Sequence, residues 1–403
     1  MKDVTQPLKG RGTMLSVVAT VAVLVGLLAF APLASAASDP LSSGTTRITL
    51  NKGFFKKLKK NGVKVLKVSP GTVKSRTVTL PVSGGSLDPI TGLGTIEHSG
   101  GVKFKRGKKT APVNTLVLDT TTKSLKAKVA GKSMKFASVA GYTVARNGFG
   151  ANVSITKLKL TGKAAKQLNK KLGFTGKKKS GKKKARPLFK GNQVLGSSTS
   201  ETQPKTVTVL PSGKASLLTN EATVKKFVLP PPNGLAVKIE PISPTEVETI
   251  ANPFTPILKF PISGGSIAPD ASSGKVETTG GVRLVQKLVA GTTTITLGNI
   301  LVDLSAKTAT AEITIESTIS PELNKGALGR SSIADLNLSG ATIKSDPSAH
   351  TVTVENAAAT LQEVTALVLT EVFGAPFDAV KVEHAKFAKG DPLGTFSFTA
   401  QTQ

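Results

Sequence analysis

The chain has no cysteine and no tryptophan, one tyrosine and three histidines among its 403 residues. Without cysteine there is no disulfide framework, no thiolate metal or iron–sulfur site and no thiol nucleophile. With Tyr142 alone and no tryptophan, no aromatic platform exists for sugars or unstacked bases, so specific nucleic-acid recognition is not expected. His98, His350 and His384 are too few and too scattered for a metal-dependent hydrolase, and no metal site is expected. No phosphate-binding loop of the G-x-x-x-x-G-K-[ST] type follows a strand, and no G-x-S-x-G elbow is present. Between residues 37 and 200 the acids are Asp39, Asp88, Glu97 and Asp119, in no spacing that suggests a converging catalytic pair. Asp119 reads as the end of a strand at a turn, and His350 and His384 read as strand residues at or near the surface. The chain is therefore expected not to be an enzyme.

What is present begins with an address. Lys2, Lys9 and Arg11 precede an uncharged apolar stretch from Met14 to Phe30, followed by Ala34-Ser35-Ala36. A positive start, an apolar middle and a small-x-small site are the parts of a secretory signal peptide, residues 1–36. No second apolar run of spanning length follows, so the mature product is expected outside the cell, free or held at the envelope.

Charge is unevenly placed. Residues 37–200 hold 35 Lys/Arg and 4 Asp/Glu, whereas residues 201–403 hold 16 and 19. The densest stretch comprises Lys177, Lys178, Lys179, Lys182, Lys183, Lys184 and Arg186. Like charges in a block repel and resist folding, so this reads as a solvated loop. Its natural counter-ions outside a cell are anionic envelope polymers or lipid headgroups.

The mature chain repeats itself. Pro81-Val-Ser-Gly-Gly-Ser-Leu87 returns 180 residues later as Pro261-Ile-Ser-Gly-Gly-Ser-Ile267. At the same offset Gly94–Val102 matches Gly274–Val282, both ending in Gly-Gly-Val. Downstream, Asp119 with Lys123 matches Asp303 with Lys307, and Phe189-Lys-Gly matches Phe387-Ala-Lys-Gly. Two copies of this size are two domains: residues 44–196, strongly basic, and 213–396, with residues 197–212 read as a polar linker. Period-two alternation in Thr77–Val82, Leu125–Val129 and Ala309–Ile315 marks half-buried antiparallel strands. The phase slips at Thr156-Lys157, which predicts a β-bulge, and the Gly-Gly pairs read as turns or bulges. Two helices per copy are expected, and three segments are located: one at Phe54–Lys60 with Phe54, Phe55 and Leu58 inward, one after a Thr161 cap and closed by Gly173, and one over Gln362–Phe373 stopped by Gly374. The fold class is mainly β: two tandem β-sandwich-like domains, each with one or two short helices.

The order of these motifs — Pro-Val-Ser-Gly-Gly-Ser, then His98-Ser-Gly-Gly-Val-Lys-Phe104, then Leu118-Asp119 and an Ala164–Asn169 helix — resembles HtaA domains, found in secreted and surface proteins of Actinobacteria. The resemblance covers residues 45–196 well and 213–396 more loosely. It implies a β-sandwich-like domain and, in characterised members, capture of haem through a tyrosine on the early helix supported by a downstream histidine. Those positions here fall at Lys57 and Leu58, and at Arg106-Gly-Lys-Lys109. The non-family candidates for contacting haem are then His98 and Tyr142. The leading expectation is a non-catalytic envelope-associated binding protein. The alternative is an extracellular haem-binding or haem-transfer protein.

Overall fold

The computed structural model describes residues 38–175, 186–249 and 252–403. The expected signal peptide and the lysines 177–184 lie outside the described residues.

The first copy contributes β1 (Asp39–Leu50), α1 (Lys52–Lys60), β2 (Lys64–Val68), β3 (Thr72–Lys74), β4 (Thr77–Leu87), β5 (Gly94–Arg106), β6 (Lys109–Asp119), β7 (Ser124–Val129), β8 (Lys132–Asn147), β9 (Gly150–Leu160), α2 (Gly162–Leu172) and β10 (Val194–Pro204). The second contributes β11 (Val207–Thr219), α3 (Glu221–Val228), β12 (Val237–Ile242), β13 (Glu246–Glu248), β14 (Ile257–Ile267), β15 (Gly274–Thr278), β16 (Gly281–Leu288), β17 (Gly291–Asp303), β18 (Thr308–Ser317), β19 (Gly326–Asn337), β20 (Thr342–Asp346), β21 (Thr351–Leu361), α4 (Glu363–Asp378) and β22 (Pro392–Thr402).

The two mainly-β domains are present, and each sheet closes on itself. In the first, β4–β5–β6–β7–β8–β9–β10–β1 runs round and returns to β4 as an eight-stranded antiparallel barrel. In the second, β14–β15–β17–β18–β19–β21–β22–β11 does the same. Closure removes the free edges that a two-sheet sandwich leaves exposed. The repeated segments ending in Leu87 and Ile267 occupy equivalent ends of β4 and β14.

The expected bulges have clear causes. In β9, Leu158 faces Gly196 while Ile155 faces Ser198, so Thr156-Lys157 carries the extra residue. At Gly100, φ is +80° and a Cβ would stand 2.4 Å from the Gly71 nitrogen, so only glycine fits that bulge in β5.

Three expectations are corrected. The segment 197–212 is not a linker but the body of β10 and the start of β11. Its polar alternation conceals a strand because Ser198, Ser200 and Thr202 point inward, small enough for the barrel interior. The first barrel's strands accordingly span Asp39–Pro204 and the second's Val207–Thr402. Helix α4 does not stop at Gly374 but continues to Asp378. Gly374 is there because a Cβ would meet the His384 ring at 2.4 Å. His384 is therefore not a surface strand residue; it is buried in the strap after α4, with Nε2 3.1 Å from Asp378 Oδ1. His350 sits in the turn before β21 at φ +54°.

The barrels also meet. The β8–β9 turn delivers Phe149, 5% exposed, into the apolar core of the second barrel. Asp39 accepts from Thr208 N and Oγ1 at 2.9 and 2.8 Å, Gln403 Nε2 donates to Asp88 Oδ1 at 3.1 Å, and Arg146 donates to Gln403 O. Burial raises the Asp39 pKa above the ordinary carboxylate value despite the Thr208 bonds.

Candidate functional site

Helix α1 forms because Asn51 caps it, accepting from Gly53 N at 2.9 Å and Phe54 N at 3.1 Å. Phe54 and Leu58, four residues apart, bury one face. Phe55 is half-buried beneath the Lys59 ammonium, 4.9 Å from the ring centre. Lys57 leaves the helix to donate to Leu188 O at 2.7 Å, and partial burial and then the nearby Lys190 charge lower its pKa.

Leu188 and Phe189 belong to a strap that seals the barrel mouth. Asn169 of α2 holds it with three bonds, accepting from Leu188 N and Phe189 N and donating to Phe189 O. Phe54, Phe104 and Phe174 each meet Phe189 edge-on, with centroids 5.7–6.4 Å apart. Arg106 donates to Leu172 O and Gly173 O at the end of α2 and lies over Phe174 at 4.1 Å. Sequence reading missed Asn169, Arg106 and Lys57 as ties of this lid.

His98 lies inside the barrel, 6% exposed. Its Nδ1 is 3.0 Å from Leu116 O, and a carbonyl only accepts, so Nδ1 carries the proton. Nε2 then accepts from Thr46 Oγ1 at 2.7 Å, and Thr46 is 2.8 Å from Ser200 Oγ. Burial pushes the His98 pKa down to about 4, partly offset by the Leu116 bond, so the ring is neutral at physiological pH. Both nitrogens are occupied. Tyr142 stands on β8, half-buried against the core and three strands from His98 round the barrel. The structure does not gather the two residues into one site.

These residues do not fit haem. Leu58 is fully buried packing at the early-helix position, Lys57 is tied to the strap, Arg106 is tied to α2, and His98 has no free lone pair. The barrel interiors hold cavities of about 40 and 110 Å³, against the roughly 300–1,000 Å³ of drug- and cofactor-sized pockets. Among the described residues no group of three His, Cys, Asp or Glu is arranged to hold a metal ion.

The outer face of the first barrel is the remaining candidate. Lys126 stands directly across from Lys135, Lys64 from Lys105, and Arg106 from Lys109. The second barrel sets opposite charges across from each other instead: Lys275 with Asp303, Glu240 with Arg283, and Glu246 with Lys259. Among the described residues the first barrel has two ion pairs of lysine or arginine with a carboxylate, Arg47–Glu201 and Lys126–Asp119, and the second has nine. Asp119 ends β6 at a turn, as expected. Although burial pushes its pKa up, bonds from Thr122 and Lys126 hold it below the ordinary value. Arg186, the last residue of the lysine-rich stretch, is exposed, and the stretch's lysines lie outside the described residues.

No protein-family model matches the sequence, and no curated protein matches it. Solved structures give distant likenesses. The C-terminal domain of HtaA from Corynebacterium glutamicum is 12% identical, with 49% of this chain and 99% of that chain covered and a TM-score of 0.34. The N-terminal domain of the same protein is 12% identical, with 48% and 99% covered and a TM-score of 0.32. Likenesses at this level assign no family. The functional reading rests on the chain's own residues.

Proposed function

We propose that this chain is a secreted, non-catalytic binding protein held at the cell envelope by its first barrel, which docks on anionic polymer or lipid headgroups. The observation that supports this most is the set of like-charge pairs across the first barrel's strands. Each such pair opposes folding, and the second barrel shows that the same scaffold accommodates opposite pairs at no loss of closure. A polyanion laid over Lys126, Lys135, Lys64 and Lys105 replaces that repulsion with attraction. The sequence from Lys177 to Arg186 adds seven further positive charges to the same domain. The signal-peptide layout of residues 1–36 and the lack of catalytic constellations in the sequence accord with this reading.

Counter-ion release makes such binding fall steeply as salt rises. The test is retention of the mature chain on purified anionic envelope polymer across a salt series. Retention that ignores salt overturns the proposal.

A further inference from the structure

The structure assigns to the second barrel an interior site for the end of an aliphatic chain. The two barrels give a direct comparison because their registers align residue by residue. Ile48 faces Val78 and Ser198 in the first, and Leu217 faces Leu258 and Phe396 in the second. Val65 faces Phe104 as Ile239 faces Leu284. Asn51 and Asn220 cap equivalent helices, which sets Phe54 against Thr223. The bulge residue Phe136 in β8 corresponds to Ile333 in β19.

Three phenylalanines that fill the first barrel, Phe54, Phe104 and Phe136, are thus Thr223, Leu284 and Ile333 in the second. The consequence is volume. The first barrel retains about 40 Å³ and the second about 110 Å³. The wall is apolar, made of alkyl side chains including Leu217, Leu258, Leu284, Leu297, Leu361 and Leu369 together with the rings of Phe227 and Phe260, which stand where the first barrel has Leu58 and Leu80 and offset only part of the lost volume. Three threonines also line it, but each spends its hydroxyl on a backbone carbonyl: Thr219 on Pro256 at 2.8 Å, Thr223 on Pro392 at 2.6 Å and Thr365 on Ser332 at 2.9 Å. No donor is left facing inward. An apolar cavity of this kind stays dry and takes an apolar guest; one of about 150 Å³ holds benzene.

The shape of the surroundings selects a chain over a compact guest. Outside the cavity lies a groove of about 420 Å³ along α3 and β12, lined by Val224, Val228, Val237, Ile239 and Val247. Val224 and Ile239 belong to both walls. A molecule whose tip fills the cavity lays its body in this groove and its polar end beside Lys238, which also lines it and whose exposed ammonium, now 3.0 Å from Glu240 Oε1, would have to exchange that partner for the guest's carboxylate. A fatty-acid-like amphiphile has that form.

The test uses the chain from residue 37 onward and decanoate, labelled at its terminal methyl and kept below its micelle concentration. The expected result is saturable binding, with nuclear Overhauser contacts from that methyl to the methyls of Leu258, Leu284 and Leu297. Thr223→Phe, which copies the first barrel, is expected to weaken binding at least tenfold while the chain stays folded. No binding, contacts only to other residues, or binding indifferent to Thr223→Phe overturns the assignment. Should that variant not fold, the methyl contacts in the unaltered chain decide it.

Discussion

His98 and Thr278 stand at the same register position of the two barrels, opposite Val82 and Ile262, and bond to equivalent carbonyls, Leu116 O at 3.0 Å and Ile300 O at 2.9 Å. A histidine in one copy and a threonine in the other close the same bulge. His98 is therefore a structural tie. His98→Thr should cost less stability than His98→Ala, which leaves Leu116 O without its side-chain partner, at a cost of about 1–3 kcal/mol, and Thr46 Oγ1 with Ser200 alone. Urea unfolding of the three proteins measures the difference.

The same residue sets an acid limit. Its folded pKa is about 4, below the unfolded value, so between those values the unfolded chain takes a proton that the folded chain refuses. Stability is full above about pH 6.5 and falls as pH drops towards 4, by roughly 3 kcal/mol in total. Unfolding midpoints measured across that window should slope for the natural chain and flatten for His98→Thr. An equal slope in both would place the acid sensitivity elsewhere.

Coupling between the barrels rests on Phe149. Truncating it to alanine empties a place in the second barrel's core, at a cost of about 3–5 kcal/mol. The Asp39–Thr208, Asp88–Gln403 and Arg146–Gln403 bonds are then left to transmit cooperativity. Calorimetry of Phe149→Ala should resolve two transitions, whereas the natural chain should show one.

The strap over the first barrel depends on Asn169, which is 5% exposed and makes three bonds. Asn169→Ala should destabilise by about 2–4 kcal/mol and raise hydrogen exchange at Leu188 and Phe189. The second barrel has a lighter version of this tie, Thr370 accepting from Phe387 N at 2.9 Å, so Thr370→Ala should cost less.

Much of this fold was legible because its signals are local. The 180-residue offset located equivalent strands, Thr161 and Gly173 bounded α2, and the phase slip at Thr156-Lys157 marked a real bulge. What was not legible depends on distant partners. Ser198, Ser200 and Thr202 read as linker because inward-facing small polar residues carry no apolar alternation. Gly374 reads as a helix stop until the His384 ring is seen against it. The equivalence of α1 and α3 was hidden because Phe54 and Leu58 became Thr223 and Phe227, leaving the Asn51 and Asn220 caps as the common trace. For the candidate site, sequence supplied the charge asymmetry, but the pairing of lysine against lysine required the strand register.

The central claim is that the first barrel's excess of positive charge holds the protein to a polyanion. The most direct measurement is cosedimentation of the mature chain with anionic vesicles at low and high salt, in three forms. One is unaltered, one carries glutamine at Lys177, Lys178, Lys179, Lys182, Lys183 and Lys184, and one carries glutamine at six second-barrel lysines, including Lys214, Lys275 and Lys344. The account predicts that the unaltered chain and the second-barrel variant sediment alike at low salt and are released at high salt, where screening shortens to about 3 Å at 1 M. It predicts that the loop variant loses most of its retention at low salt. Equal retention of all three, or retention that persists at high salt, would contradict it.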